Sequence, residues 1–197
     1  MLDIISLITT AGYIGFFSII FAESGFFGFF FPGDSLLFTA GFLASQQTLN
    51  IGLLMGLAFG AAVLGDSVGY AIGYMAGPKI FRREDSFFFH KDHLVKTKVF
   101  YEKHGPKTIV LARFIPIIRT FAPLLAGVGK MRYHTFLAYN IIGGALWAIG
   151  LTWLGWWLGG TIPNMDRYIV FIVIGIIVLT SLPPLNEYRK YRIQRRK

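Results

Sequence analysis

The sequence contains no cysteine and few charged residues for its length. The absence of cysteine excludes disulfide bonds and thiolate metal sites. Only 15% of the 197 residues are charged, whereas a soluble domain has roughly a quarter. The four histidines are scattered along the chain and do not form a group that would predict a metal site. We therefore expect no metal and no other cofactor.

Basic residues are absent from the first part of the chain. The first of the 19 Lys and Arg residues is Lys79. A secretory signal peptide needs a positively charged segment at its start, so the N-terminus is expected to belong to the mature protein. The net charge of +9 could indicate nucleic-acid binding, but the anchoring of cytoplasmic loops explains it more simply. We expect no nucleic-acid partner.

Apolar residues are present in excess. Hydrophobic residues make up 54% of the sequence and aromatic residues 17%, and the mean hydropathy is +0.58. A globule of this length could not bury so much apolar surface, so the expected solvent is lipid. The chain is predicted to be an all-α integral membrane protein with a single membrane domain, residues 1–197.

Three apolar stretches are long enough to cross a bilayer as single helices, which takes about 20 mostly apolar residues. They are residues 51–77, 133–160 and 167–185. The first carries glycine at nearly every fourth position, which lays a flat ridge along one helix face. This ridge could form the interface of a homo-oligomer, but packing against a helix of the same chain is favoured.

Two further apolar stretches are interrupted by proline. Residues 12–45 are broken at Pro32 and Gly33, and residues 105–129 are broken at Pro116 and Pro123. Backbone that is broken inside a membrane must be buried in protein or line a wet cavity. Each stretch is therefore predicted to form a re-entrant hairpin, in which two half-helices meet at a turn within the membrane.

The placement of the basic residues predicts the orientation of the chain. Residues 78–104 mix charged and aromatic side chains and are expected to lie on the cytoplasmic membrane surface as an amphipathic segment. The tail, residues 186–197, is also basic, so the C-terminus is expected to be cytoplasmic. In this orientation the hairpin 12–45 enters from outside and the hairpin 105–129 enters from the cytoplasm.

The two predicted hairpins resemble each other. Residues 34–41 can be aligned with residues 120–127, so that Gly41 corresponds to Gly127, and a Gly-rich span follows each hairpin. Transporters are often built from inverted repeats whose discontinuous helices meet near the middle of the membrane. The predicted fold is an inverted repeat with two re-entrant hairpins and about three full transmembrane helices.

Five charged residues lie in these apolar surroundings: Glu23, Asp34, Asp66, Arg113 and Arg119. Each would cost roughly 2.5–3.5 kcal/mol at the centre of a membrane helix. Such residues usually face the interior of a helix bundle, pair with one another and mark a transport pathway. We expect Glu23 and Asp34 to approach Arg113 and Arg119 where the hairpins meet. The alternative is that these ion pairs only stabilise the fold, although buried pairs can often be replaced by apolar residues without loss.

The chemistry of these side chains divides their roles. Arginine stays protonated in proteins, and its donors suit phosphate, so Arg113 and Arg119 are candidates for binding an anionic substrate. The carboxylates can take up and release protons. In a hypothetical cycle, ionised carboxylates hold the arginines, protonation from outside frees the arginines for a phosphate headgroup, and deprotonation inside restores the pairs. Asp66 is either a second proton site or a packing partner of Tyr70.

A series of short motifs occurs in order along nearly the whole chain. They are Glu23, Phe31-Pro32-Gly33-Asp34-Ser35, Gly65-Asp66-x-x-Gly69-Tyr70, His104-Gly105, Arg113-Phe114-x-Pro116-x-x-Arg119, Ala126-Gly127 and Asn140-x-x-Gly143-x-x-x-Trp147. In this combination they resemble the DedA family of membrane proteins, which belongs to the VTT-domain superfamily. The resemblance adds Asn140 and Trp147 as supporting site residues.

The resemblance implies that the protein transports a lipid. The family is linked to lipid translocation, in bacteria to undecaprenyl phosphate or phosphatidylethanolamine, and to the proton-motive force. It implies that Glu23 and Asp34 form a required acidic pair, that Arg113 and Arg119 form a required arginine pair, and that the protein lies in the bacterial inner membrane. The predicted function is a proton-coupled flippase for an anionic, phosphate-headed lipid.

Enzymes and other transporters are the alternatives to this prediction. The sequence lacks the Gly-x-Ser-Gly motif of rhomboid proteases, the Gly-x-Gly-Asp motif of aspartyl intramembrane proteases and the Ser-Gly-His motif of lipid phosphatases, so we do not expect an enzyme. Two other transport functions stay open, namely an energy-independent phospholipid scramblase and a proton-coupled exporter of ions or small cations. The scramblase would not depend on a pH gradient, and the exporter would not need the arginine pair.

Overall fold

The described part of the chain is helical throughout, as the sequence predicts. A computed structural model describes residues 4–27, 33–76, 102, 104–162 and 175, and these residues contain no β-strand. Seven α-helices are defined in them: α1 (Ile4–Ala22), α2 (Gly33–Ser45), α3 (Ile51–Ala76), α4 (Thr108–Ala112), α5 (Pro116–Val128), α6 (Tyr133–Gly144) and α7 (Gly150–Thr161). They are supplemented by the π-helical segments Glu23–Phe27 and Ala145–Ile149 and the 3₁₀ turn Gly105–Lys107.

Two of the three predicted spans are present as long apolar helices. Ile51–Ala76 is α3, and Tyr133–Thr161 is a continuous helix in which the second π-helical segment joins α6 to α7. Both are long and apolar enough to cross a membrane. The third predicted span, 167–185, lies outside the described residues except for residue 175. The tail 186–197 and nearly all of the segment 78–104 also lie outside them.

The first predicted hairpin contains two helices of unequal length. α1 begins at Ile4, ahead of the predicted start at residue 12, and its 19 residues extend for about 28 Å, close to the hydrocarbon thickness of about 30 Å. α2 has only 13 residues and cannot cross that distance. Pro32 lies outside the described residues, and Gly33 begins α2. The re-entrant path itself stays a prediction.

The second predicted hairpin is interrupted before Pro116, as predicted, but the break predicted at Pro123 is wrong because that residue lies inside α5. α4 ends at Ala112, and α5 begins at Pro116. Ile115, just before the proline, has an extended backbone with φ −123° and ψ 105°, because the helical conformation is disfavoured in a residue that precedes proline. This interruption lies between Arg113 and Arg119, so the two arginines do not share the regular spacing of one helix.

The short helices pack in a reciprocal way. α2 packs chiefly on α7, and α5 packs chiefly on α3. The second arm of each hairpin therefore lies against the long span that follows the other hairpin. α1 in turn packs on α3, and α4 packs on α6. Two related repeats would produce this arrangement, which agrees with the alignment of the two hairpins.

Glycine allows close approach of the backbones in both of these helix pairs. A Cβ atom on Gly41 of α2 would overlap the carbonyl oxygen of Thr152 in α7, and one on Gly127 of α5 would overlap that of Tyr70 in α3. Gly41 and Gly127 are the residues that the sequence alignment makes equivalent. The equivalence is therefore visible in their packing.

The glycine ridge of α3 is partly covered by the same chain. Gly65 and Gly69 lie against the backbone near Gly25, and Gly73 lies against the backbone of Leu124. For these residues the favoured interpretation, packing within the chain, is confirmed. A Cβ atom on Gly56, earlier on the ridge, would have no neighbour within 4 Å among the described residues, and homo-oligomer formation there stays a prediction.

The pairing of α2 with α7 gives a test of this packing. A Cβ on Gly155 of α7 would overlap the carbonyl oxygen of Phe38 in α2, whereas one on Gly150 of α7 would have no neighbour within 4 Å in the described part of the chain. We expect Gly155→Ala to separate the two helices and cost about 1–3 kcal/mol, while Gly150→Ala keeps or raises stability. Thermal unfolding in detergent micelles measures both. Equal midpoints for the two variants would contradict this packing.

Candidate functional site

Arg119 lies at the centre of the charged cluster. It lies in the first turn of α5, and its Nη1 donates to Oδ1 of Asp34 in the first turn of α2 at 3.0 Å. Its Nη2 forms an ion pair with Oε1 of Glu23, the first residue of the π-helical segment after α1. One guanidinium group is therefore shared by carboxylates from two elements.

Trp147 contacts both Asp34 and Arg119 in this cluster. Its Nε1 donates to Oδ1 of Asp34 at 2.7 Å. Its ring lies under the guanidinium group of Arg119, 4.9 Å from the ring centroid, within the range of a cation–π interaction. Trp147 lies in the second π-helical segment, and such segments frequently occur at functional sites.

Arg113 forms a separate ion pair, and the sequence-based prediction of its partner is wrong. Its Nη2 lies 2.5 Å from Oδ2 of Asp66 in α3 and 2.5 Å from Oδ1 of Asn140 in α6. The sequence predicts instead that Arg113 approaches the hairpin carboxylates. Its position at the C-terminal end of α4 places it between α3 and α6. Asp66 is thus an ion-pair partner, and Tyr70 donates its hydroxyl hydrogen bond to the carbonyl of Met131.

Asn140 fixes the second ion pair to the long helices. Its amide Nδ2 donates to the carbonyl oxygen of Val63 in α3 at 3.0 Å, while its Oδ1 accepts from Arg113. Gly143 leaves room beside it, since a Cβ there would lie 2.9 Å from Cδ of Arg113. Asn140, Gly143 and Trp147 share one helix face by their spacing, a signal in the sequence that could have placed Asn140 and Trp147 beside Arg113.

The five charged side chains are largely removed from solvent. Glu23 is only 2% exposed, Asp66 5% and Arg113 6%. Three carboxylates face two guanidinium groups, so the cluster carries a formal charge of −1 when every group is ionised. A buried charge is stable only when it is paired and hydrogen-bonded. Binding of a proton or another cation to the surplus carboxylate would make the cluster neutral.

A small cleft brings the two ion pairs together. Glu23 and Arg119 from the first pair and Asp66 and Arg113 from the second line it, together with Trp147 and apolar side chains of α4 and α5. No group of three or more His, Cys, Asp or Glu that could hold a metal occurs in the part of the chain described. The lining groups are suited to anions and protons.

Comparisons with known proteins find similar sequences over most of the chain. Residues 31–157 match the VTT domain family. The chain is 46% identical to Protein DedA of Escherichia coli (strain K12) over 183 residues, 91% of this chain and 83% of that protein. It is 42% identical to an uncharacterized membrane protein of Mycobacterium leprae over 179 residues, 90% of this chain and 80% of that protein. No solved structure matches the chain at a significant level.

A double-mutant cycle tests the pairing of Arg113. Asp66→Asn and Arg113→Gln each leave the other partner buried and unpaired, so the double variant should lose less stability than the sum of the single changes. We expect a coupling energy of about 0.5–3 kcal/mol, from chemical unfolding in detergent micelles. The control cycle of Asp34→Asn with Arg113→Gln should give clearly less coupling. A larger value in the control would restore the pairing predicted from sequence.

Proposed function

This chain belongs to the DedA family of VTT-domain membrane proteins, and from this premise and the geometry of its charged cluster we propose that it transports an anionic, phosphate-headed lipid by a proton-coupled cycle. The substrate class includes polyprenyl phosphates, such as undecaprenyl phosphate, and phospholipids. The proposed location is the bacterial inner membrane, with the C-terminus in the cytoplasm. In this proposal the protein moves its substrate without changing it chemically.

The observation that carries the proposal is the sharing of Arg119 between two carboxylates at a buried cleft. A guanidinium group can bind two oxygens of a phosphate in the way it binds carboxylate oxygens. The two carboxylates thus resemble the phosphate of the proposed substrate chemically. In the structure described they occupy the guanidinium group that would bind this phosphate. Substrate and carboxylate would then compete for the same donors.

Competition of this kind supplies a transport cycle. When a carboxylate takes up a proton, its attraction for Arg119 falls, and the guanidinium group becomes available to a phosphate headgroup. Loss of the proton on the other side of the membrane restores the ion pair and expels the headgroup. A ligand shifts such an equilibrium only as far as its affinities for the two states differ, and the proton provides that difference.

The two arginines have different parts in this cycle. Arg119 contacts two titratable groups from the first hairpin region and lies over Trp147. Arg113 is bound to Asp66 and Asn140, two residues of the long helices. We assign Arg119 to direct binding of the headgroup. Arg113 lines the cleft from a fixed position, where Asp66 holds it and balances its charge.

A proton-coupled exporter of small cations is the second candidate. The formal charge of −1 of the five buried groups favours it, because a small cation could balance the surplus carboxylate. In that function Arg119 would only position the carboxylates.

Transport in proteoliposomes tests the first candidate. With an imposed pH gradient, we expect movement of a fluorescent polyprenyl phosphate that follows the gradient. Arg119→Ala and Asp34→Asn should each lower its rate about tenfold or more, since each removes a charge-assisted contact of the binding group. Arg132→Ala, which removes an exposed arginine, is the matched control and should keep the rate of the parent.

Each other outcome of this experiment has a defined meaning. Lipid movement that ignores the gradient but needs Arg119 would replace the proposal by a scramblase. Cation flux without lipid movement would replace it by the exporter. Equal transport of a neutral lipid with the same tail would show that the arginine does not select a phosphate headgroup.

Substitution of Trp147 tests how Asp34 is positioned. Trp147→Phe keeps an aromatic ring below Arg119 but removes the Nε1 donor to Asp34, whereas Trp147→Ala removes both contacts. We expect a graded loss, with the pH profile of transport displaced in the first variant and transport nearly abolished in the second. Trp157→Phe, on the exposed side of α7, serves as control. An unchanged pH profile in Trp147→Phe would mean that the hydrogen bond has no role in transport.

A further inference from the structure

The carboxylate of Glu23 lies against the first residue of α2. A Cβ atom built on Gly33 would overlap the carboxylate carbon and Oε2 of Glu23, and it would lie 2.6 Å from Oε1. The carboxylate therefore occupies the space in which any other residue at position 33 would have a side chain. Glycine at this position allows an anionic group to approach the beginning of the helix.

This carboxylate is poorly satisfied for a buried group. Glu23 is 2% exposed, yet its Oε2 accepts no hydrogen bond from the residues that the structure describes. Its polar contact within this part of the chain is the ion pair between Oε1 and Arg119. Buried carboxylates are normally hydrogen-bonded. The space beside Gly33 thus holds an anion, although Oε2 of this anion has no hydrogen-bond donor among the described residues.

The beginning of α2 favours an anion in this space. The first amide N–H groups of a helix have no intrahelical acceptors, and the helix dipole places partial positive charge there. α2 has 13 residues, enough for several turns. Helix N-termini of this kind bind phosphate groups readily. Here the buried Oε2 of Glu23, which accepts no hydrogen bond among the described residues, points to the site independently of the helix itself.

Glu23 can leave this site without releasing Arg119. The two carboxylates contact different nitrogens of the guanidinium group, Nη2 for Glu23 and Nη1 for Asp34. Asp34 is itself held by Nε1 of Trp147. Departure of Glu23 therefore frees Nη2 and the beginning of α2 together, while Arg119 stays oriented by Asp34.

We propose that Nη2 of Arg119 and the first turn of α2 at Gly33 form a binding site for a phosphate group, and that the carboxylate of Glu23 occupies this site as a tethered competitor. The inference rests on the proposed function in taking a lipid headgroup as the natural ligand. The binding site itself can be tested without transport. Within the acidic pair, Glu23 is the exchanging group and Asp34 is the positioning group.

Phosphate binding to the purified protein tests this assignment. The probes are inorganic phosphate, dioctanoyl phosphatidic acid and dioctanoylglycerol, added to protein in phosphate-free maltoside micelles and followed by titration calorimetry. The parent should bind inorganic phosphate weakly. Glu23→Gln, which keeps the shape of the side chain but removes its charge, should bind it about tenfold more tightly or better, the size of one charge-assisted contact.

Three further variants separate occupancy from other effects. Glu23→Asp keeps the charge but withdraws it from Gly33 by one methylene group, so its affinity should lie between those of the parent and Glu23→Gln. The double variant Glu23→Gln/Gly33→Ala places a methyl group in the site and should lose the gain. Glu102→Gln removes an exposed carboxylate that does not line the cleft and should leave phosphate affinity unchanged.

The outcomes distinguish a lipid headgroup from free phosphate as the ligand. They also include results that would contradict the site. Binding of both inorganic phosphate and phosphatidic acid supports a site for the shared phosphate group, and binding of phosphatidic acid alone supports one that also needs the lipid tails. Binding of inorganic phosphate alone supports the site but removes the lipid as its ligand. Equal binding of dioctanoylglycerol, or an equal gain in Glu102→Gln, would overturn the site.

Folding of the variants is checked by thermal unfolding and gel filtration. If Glu23→Gln does not fold, Glu23→Asp against the parent and against Glu23→Asp/Gly33→Ala gives the same comparison at unchanged charge. A folded Glu23→Asp protein that gains no phosphate affinity would then overturn the proposal. Because these measurements need no transport, they can succeed where the transport assay fails, and the reverse also holds.

Discussion

A charged side chain that is buried among apolar groups needs a partner of opposite charge, and this requirement organises the described structure. Arg119 meets it with carboxylates from two elements, Glu23 and Asp34. Loss of one partner in such a pair costs about 3–5 kcal/mol. Apolar packing has no direction, so the ion pairs, and not the apolar contacts, determine how the first turns of α2 and α5 face each other. The cleft lies beside these ion pairs, and residues of α4 and α5 form much of its lining.

The helix dipoles act in opposite ways on the two residues of the ion pair between Asp34 and Arg119. Asp34 lies in the first turn of α2, where the helix dipole favours a negative charge. Arg119 lies in the first turn of α5, where the same effect opposes a positive charge. A guanidinium group in that position is stabilised by more negative charge than one carboxylate supplies. The second carboxylate, that of Glu23, and the ring of Trp147 answer this need, which explains why one arginine has so many partners.

The sequence predicted the parts of this site better than their pairing. Hydropathy and proline predicted the helical class, the two long spans and the break before Pro116, because these are local properties. The cost of buried charge selected all five ionised residues. It could not assign Arg113 to Asp66, because charge balance specifies that partners exist without specifying which ones. That pairing depends on how α4 packs on α6, which directs the side chain of Arg113 to Asp66 and Asn140. The contact of Glu23 with Gly33 was likewise hidden, because hydropathy and charge do not specify how the first π-helical segment lies against the start of α2.

Charge balance gives a physical reason why transport through this site would be coupled to protons. With all five groups ionised the cluster carries a formal charge of −1, and the entry of a phosphate group would add to it. Two negative charges about 4 Å apart repel by about 4 kcal/mol at an effective dielectric constant of 20. If Glu23 first takes up a proton, the phosphate group replaces a charge of the same sign in the same place, and the exchange leaves the cluster nearly unchanged.

The other two carboxylates are less suited to this exchange. Asp66 is bound to the same atom of Arg113 as Asn140, so its protonation would free no donor next to α2. Asp34 is held by Trp147 as well as by Arg119, and its departure would release the guanidinium group from the helix that positions it. Glu23 contacts Arg119 and fills the space at Gly33 without such a second donor among the described residues. Coupling then follows from where each carboxylate lies, because protonation of Glu23 opens a place for the headgroup while Arg119 keeps its orientation.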